Sequence, residues 1–153
     1  MDRQRSLSMI QALSDAPGAP GFEDAVIRAL RPYAQPLGTV TEDTLRNLYV
    51  ERRGNAAGRP VVQLDAHTDE VAFMVQAIKP NGTLRFLNLG GWVNASLPAS
   101  RVRVRNAKGD YIPGIIATTP PHLAQDGGNA APTIADMSID VGASSAEEAV
   151  RDF

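Results

Sequence analysis

The chain contains no cysteine, only two histidines and a single tryptophan. Without cysteine there is neither a disulfide framework nor a thiolate ligand, so any metal site has to use nitrogen and oxygen donors. Such donors suit hydrolytic zinc, cobalt or manganese. Neither sign of charge dominates: 15 Lys and Arg stand against 17 Asp and Glu, a net charge of −2 that implies no partner. Long apolar runs are missing too, and no stretch approaches the roughly 18 residues of a membrane span. Met1 to Ser6 is polar and is followed by no long apolar core, so no signal peptide is expected, and the cytoplasm is the expected compartment. No internal repeat is present. At 153 residues, 43% of them hydrophobic, the chain is long enough for one sizeable core or two small ones.

The most informative segment is Val61-Val62-Gln63-Leu64-Asp65-Ala66-His67-Thr68-Asp69-Glu70-Val71, an apolar run that stops on a histidine with two carboxylates close behind. Buried parallel strands are near-continuously apolar, and open α/β sheets bind ligands at the carboxyl ends of such strands. The expectation is therefore a buried strand that delivers His67 to a site. A metal-ligating imidazole commonly donates its second ring N–H to a carboxylate, and Asp69 is close enough in sequence to accept it. Beside that reading stands a plainer one, in which His67 is a solvated or hydrogen-bonded structural residue. Asp65 reads as a strand-end residue, and Glu70 either as a supporting partner of the site or as an exposed turn carboxylate.

Ahead of this segment, Leu7, Ile10 and Leu13 recur at helical spacing, and Phe22, Val26, Leu30 and Tyr33 mark a second amphipathic helix beyond the Pro/Gly loop from Ala16 to Gly21. Both stripes are expected to be core. Short strands are predicted at Gly38 to Glu42 and at Leu48 to Arg52, with a turn at Gly54-Asn55. Two helices packed on a sheet make the start of an α/β layer.

After Glu70 the period changes to two. Val71, Phe73, Val75 and Ala77 alternate with Ala72, Met74, Gln76 and Ile78; Asn81-Gly82 marks a hairpin turn, and Thr83 to Leu87 returns. Arg101 to Arg105 is expected to pair with Tyr111 to Ala117, and Ser138 to Val141 supplies another strand. A small β-barrel or sandwich is the expectation. The stretch from Pro120 to Pro132 is rich in Pro, Gly, Asn and Ala and is predicted to be a loop. Ser144-Ser145-Ala146-Glu147-Glu148 carries a capping-box pattern, so a helix is expected to begin there.

Three other features have two readings each. The arginines at 101, 103 and 105 share one face of an alternating strand; without interleaved aromatics and with an acidic pI, a solvated face is preferred over a nucleic-acid patch. His122, behind Pro120-Pro121, either reaches toward a site or serves structure or an interface. Trp92, beside Gly90-Gly91, either anchors a subunit contact or belongs to the local core.

Five motifs occur in order: Ala16-Pro17-Gly18-Ala19-Pro20-Gly21-Phe22-Glu23, Ala66-His67-Thr68-Asp69-Glu70-Val71-Ala72-Phe73-Met74-Val75, Leu89-Gly90-Gly91-Trp92, Pro120-Pro121-His122-Leu123 and Ile139-Asp140-Val141-Gly142-Ala143-Ser144-Ser145. The set resembles the amino-terminal half of the glutamyl and tetrahedral aminopeptidases, dinuclear-metal exopeptidases some of which are labelled endoglucanases. The resemblance implies an α/β catalytic-domain fragment, helices on a sheet, with an inserted small β-barrel or sandwich domain. On that basis residues 1–70 are the amino-terminal part of the metallopeptidase domain, 71–143 the inserted, PDZ-like oligomerisation domain, and 144–153 the start of a helix leading back.

Carried over by position, His67 looks like the family's first metal ligand and Asp69 like the catalytic carboxylate that orients it. The family's bridging aspartate, glutamate pair, further acidic ligand and closing histidine have no counterpart up to Phe153. His122 is not made a metal ligand. The cofactor implied for the complete enzyme is a pair of divalent ions, zinc or cobalt, with at most one held weakly by this chain. The partners implied are a peptide substrate and further copies of the chain through the inserted domain, in dimers or dodecamers, with no nucleic acid and no membrane. Departures from the family pattern are Ala72 and Arg46, each where glycine is usual, and Pro20 where serine is frequent.

Two function classes follow. One is a metal-dependent aminopeptidase represented by an incomplete chain that is inactive alone. The other is a non-catalytic binding or assembly module derived from such an enzyme. A glycosidase is less consistent, because glycosidases usually work with two opposed carboxylates.

Overall fold

The computed structural model describes residues 2–52, 54, 58–120, 123 and 132–153. These residues form two compact units, Met1–Glu70 and Val71–Phe153.

The first unit opens with helix α1 (Arg3–Asp15), capped by the Asp2 carboxylate, which accepts from Gln4 N at 3.1 Å. Helix α2 (Asp24–Ala34) follows and buries Val26, Ile27 and Ala34. A single 3-10 turn at Gln35–Leu37 leads into an antiparallel hairpin of β1 (Thr39–Glu42) and β2 (Leu48–Glu51), with Val40 opposite Val50. Gly38 makes the hairpin entry possible: a Cβ there would lie 2.1 Å from the Glu51 carbonyl oxygen. The connecting turn is organised by Asp43, whose carboxylate accepts from Leu45 N, Asn47 N, Asn47 Nδ2 and Tyr49 Oη at 2.8 to 3.0 Å. Arg46 sits in this turn with φ +69°, a left-handed conformation that glycine adopts without strain. Arg46 compensates with ion pairs to Glu42 and Asp24, and Glu42 also pairs with Arg31.

Three sequence expectations fail in this unit. The run from Val61 to His67 forms no strand; Val61, Val62 and Leu64 are 86%, 78% and 93% exposed. A strand forms only when a neighbour completes its ladder, and among the described residues the sole sheet of this unit is the β1–β2 hairpin. For the same reason the α/β layer is reduced to two helices and a hairpin. The α1 stripe is also not core, since Leu7 and Ile10 are half exposed, and Phe22 is exposed ahead of α2. An apolar stripe is buried only when a facing layer covers it.

The second unit is built on five antiparallel strands: β3 (Ala72–Ile78), β4 (Leu84–Leu89), β5 (Arg101–Arg105), β6 (Tyr111–Thr118) and β7 (Met137–Asp140), in spatial order β3-β4-β7-β6-β5. The period-two pattern sets the faces. Leu84 and Phe86 of β4, Ile116 of β6, and Met137 and Ile139 of β7 point inward with Leu97 to form the core, and Phe73, Trp92, Val102, Val104, Ile134 and Val141 pack at its margin. Arg101, Arg103 and Arg105 occupy the other face of β5, the guanidinium of Arg103 lying 5.7 Å from the Tyr111 ring centroid. The β3–β4 register shifts between Val75 and Ala77, a local irregularity.

Helix α3 (Ala146–Asp152) closes the chain and buries Ala149. Ser145 Oγ accepts from Glu148 N at 3.2 Å, while the Glu148 carboxylate reaches one residue further back than in a standard capping box, to Ser144 N at 2.7 Å and Ser144 Oγ at 2.5 Å. Those bonds hold the Glu148 carboxyl below its ordinary range, with the Ser144 hydroxyl the largest cause. The loop expectation for Pro120 to Pro132, with His122 in it, and that for the turn at Gly54-Asn55 fall largely outside the described residues.

Candidate metal centre

His67, Thr68, Asp69 and Glu70 lie in irregular backbone at the end of the first unit. The His67 ring is 84% exposed, and its Nδ1 stands 2.9 Å from the Asp69 carbonyl oxygen and 3.2 Å from Asp69 Oδ1. Both neighbours can only accept, so Nδ1 is the ring nitrogen that donates here, and Nε2 is left uncommitted by this contact. Asp69 thus holds the ring through its backbone as well as its side chain, and the backbone contact is the shorter.

Glu70, itself exposed, is held to the Pro/Gly loop by two hydrogen bonds. Its carboxylate accepts from Gly18 N at 2.9 Å, and its backbone N–H donates to the Gly18 carbonyl at 2.8 Å. Gly18 is buried there, and a Cβ on it would come within 2.8 Å of Val26 Cγ2 and 3.1 Å of the Thr68 carbonyl oxygen. The Pro/Gly loop therefore lies directly against the segment that carries His67. A single sequence holds no signal for a pairing across 52 positions; the Pro-Gly spacing marks only that a tight loop is there.

The side chains gathered around His67 close no metal site among the described residues. No group of three or more His, Asp or Glu side chains gathers among the described residues. Asp65 is exposed. His122 lies outside the described residues. Trp92, by contrast, is placed: its ring stacks on Phe73 and its Nε1 donates to the Ala72 carbonyl at 3.0 Å, a role in the local core.

Comparison with known proteins decides the family. Residues 46–151 match the model of the M42 glutamyl aminopeptidase family. The chain belongs to that family. It is similar to the glutamyl aminopeptidase of Lactococcus lactis subsp. cremoris, at 33% identity over 98% of the chain and 41% of the relative. Among solved structures it resembles the TET aminopeptidase of Thaumarchaeota archaeon SCGC AB-539-E09, with a TM-score of 0.88 and 38% identity over 95% of this chain and 41% of that one. It also resembles the TET1 peptidase of Pyrococcus horikoshii, described as assembling into a tetrahedron or a large octahedral shell, with a TM-score of 0.78 and 27% identity over 96% of this chain and 43% of that one. The chain thus spans about two fifths of the length of the relatives it matches. No described helix is long and apolar enough to cross a membrane.

Proposed function

We propose that the chain is the amino-terminal portion of a metal-dependent aminopeptidase that removes amino-terminal residues from peptides, and that it is inactive alone. The observation that carries this reading is the His67–Asp69 contact, which commits Nδ1 to Asp69 and leaves Nε2 exposed as a ligand, in a member of an aminopeptidase family. His67 is the metal ligand, and Asp69 is the carboxylate that fixes its tautomer. The complete enzyme uses two divalent ions, zinc or cobalt, whose other ligands come from outside these 153 residues. When bound, such ions acidify water and polarise the scissile carbonyl.

In the same reading residues 71–143 are the inserted domain, whose sheet curls toward a small barrel or sandwich and through which copies of the chain associate, with residues 144–153 leading back to the catalytic domain. The exposed apolar side chains Met74 and Leu87, paired across β3 and β4 on the outer face, favour such association. A cytoplasmic location accompanies this reading.

The test uses two proteins: the chain itself, its intact mass verified, and a chimera extending it with the carboxyl-terminal three fifths of the Lactococcus relative. On aminoacyl anilides with zinc or cobalt, the chain is expected to show negligible turnover, and the chimera to turn over and to lose its activity in His67→Ala. Turnover by the chain itself, or chimera activity untouched by His67→Ala, overturns the reading.

A further inference from the structure

The peptide bond between Asp69 and Glu70 does two jobs at once. Its carbonyl accepts from His67 Nδ1 at 2.9 Å, and its N–H donates to the Gly18 carbonyl at 2.8 Å. A trans peptide is planar with these two groups pointing in opposite directions. Whatever orients the N–H toward Gly18 therefore aims the carbonyl at the imidazole.

The Gly18 side of this arrangement is rigid. Gly18 has no space for a side chain between Val26, a buried residue of α2, and the Thr68 carbonyl. The Glu70 carboxylate supplies the second bond of the clasp by accepting from Gly18 N at 2.9 Å, so Gly18 and Glu70 are joined in both directions. A bidentate join of this kind resists rotation about either bond, which a lone hydrogen bond does not. The segment it holds has no helix or sheet hydrogen bonds of its own between Pro60 and Val71.

We infer that Glu70 is a positioning residue: through its clasp on Gly18 it fixes the 69–70 peptide plane and so keeps the His67 proton on Nδ1 and the lone pair on Nε2. This rests on the reading of His67 as the metal-facing ring, but it concerns reach and geometry rather than the metal itself. The acceptor atom and its distance from the backbone matter, and the negative charge does not. Glu70→Gln keeps an oxygen in place to accept from Gly18 N, whereas Glu70→Asp retains the charge and withdraws the acceptor by one methylene.

The experiment reads the tautomer of His67 in the intact 153-residue chain from its ring nitrogen resonances at a pH where the ring is neutral, with His122→Gln assigning the two histidines. The chain and Glu70→Gln are expected to show the proton on Nδ1. Glu70→Ala and Glu70→Asp are expected to shift the ratio toward the Nε2–H form by about fivefold, the size of one net hydrogen bond. Amide resonances of α2 and of the β1–β2 hairpin report whether the unit stays folded, and Glu70→Asp is the deciding variant where Glu70→Ala does not. An unchanged ratio in a folded Glu70→Asp, or loss of the Nδ1–H form in Glu70→Gln, overturns the inference. Zinc added to the unsubstituted chain forms a separate arm. A ratio that depends on Glu70 while Nε2 ignores zinc supports the clasp and counts against the metal reading, and a zinc-sensitive Nε2 with a ratio indifferent to Glu70 does the reverse.

Discussion

Trp92 lies flat on Phe73, ring centroids 4.7 Å apart and planes 14° from parallel, while Phe73 meets Phe86 edge-on at 4.8 Å. The three rings form one column from the margin of the β-rich unit into its core, and the indole N–H is pinned to the Ala72 carbonyl. Truncation of Trp92 is therefore expected to act on stability. Trp92→Phe loses one hydrogen bond and part of the stack, about 1 to 2 kcal/mol, and Trp92→Ala about 2 to 4 kcal/mol. Urea unfolding of the second unit measures this. A Trp92→Ala chain as stable as the original would remove Trp92 from the core.

Arg46 offers a separable test of backbone strain. With φ at +69°, replacement by glycine relieves roughly 1 kcal/mol, while loss of the exposed pair to Asp24 and the part-buried pair to Glu42 gives back about 1 kcal/mol. Arg46→Gly is expected to be near neutral, and Arg46→Ala, which keeps the strain and loses the pairs, to be less stable than Arg46→Gly by about 1 kcal/mol. Denaturant midpoints for the two variants give the comparison. Equal midpoints would mean that the turn carries no strain.

The acid limb of stability has a definite sign. Asp43 is held below the ordinary carboxylate range first by the Asn47 side chain, and Glu148 by the Ser144 hydroxyl. A carboxylate depressed in the folded state contributes stability that is complete above its unfolded value, about pH 4, and is lost as the pH falls through the folded value. Thermal melts are expected to be flat from pH 7 to about 5 and to fall below about 4, and Asp43→Asn is expected to flatten the acid limb of the first unit. A decline that starts near neutrality would point to groups other than these.

Metal affinity of the chain is expected to be that of a lone imidazole. His67 supplies one nitrogen and the described residues gather no further ligands around it, whereas stable zinc sites use three or four protein donors. Calorimetric titration of the His122→Gln chain with zinc is expected to give weak binding that His67→Ala abolishes. Tight stoichiometric binding would reveal a ligand set other than the one described.

Asp69→Ala is expected to have a smaller effect than a carboxylate-only partner would produce, because the shorter of the two contacts to His67 is made by the Asp69 backbone. In the active chimera the loss should lie near the lower end of the roughly 10- to 100-fold range for such supporting groups. A loss of several thousandfold would assign the side chain a more direct part.

What was legible in the sequence was local. The alternation from Val71 onward, the Asn81-Gly82 turn and the Ser145 cap each depend on residues within a few positions of one another, and each element formed close to where its pattern placed it. The His67–Asp69 contact belongs to the same class, since a side chain reaches a residue two positions away without help from a distant element. Long-range partners decided the rest. Val61 to Leu64 has the composition of a buried strand and is exposed, because composition states what a segment can bury but not whether a ladder stands beside it. The clasp between Gly18 and Glu70 needs the loop, α2 and the His67 segment together in space, and neither glycine nor glutamate carries a local mark of that meeting. Hydrophobic period and capping are properties of the chain, whereas occupancy of a ladder and closure of a loop are properties of the neighbours the fold supplies.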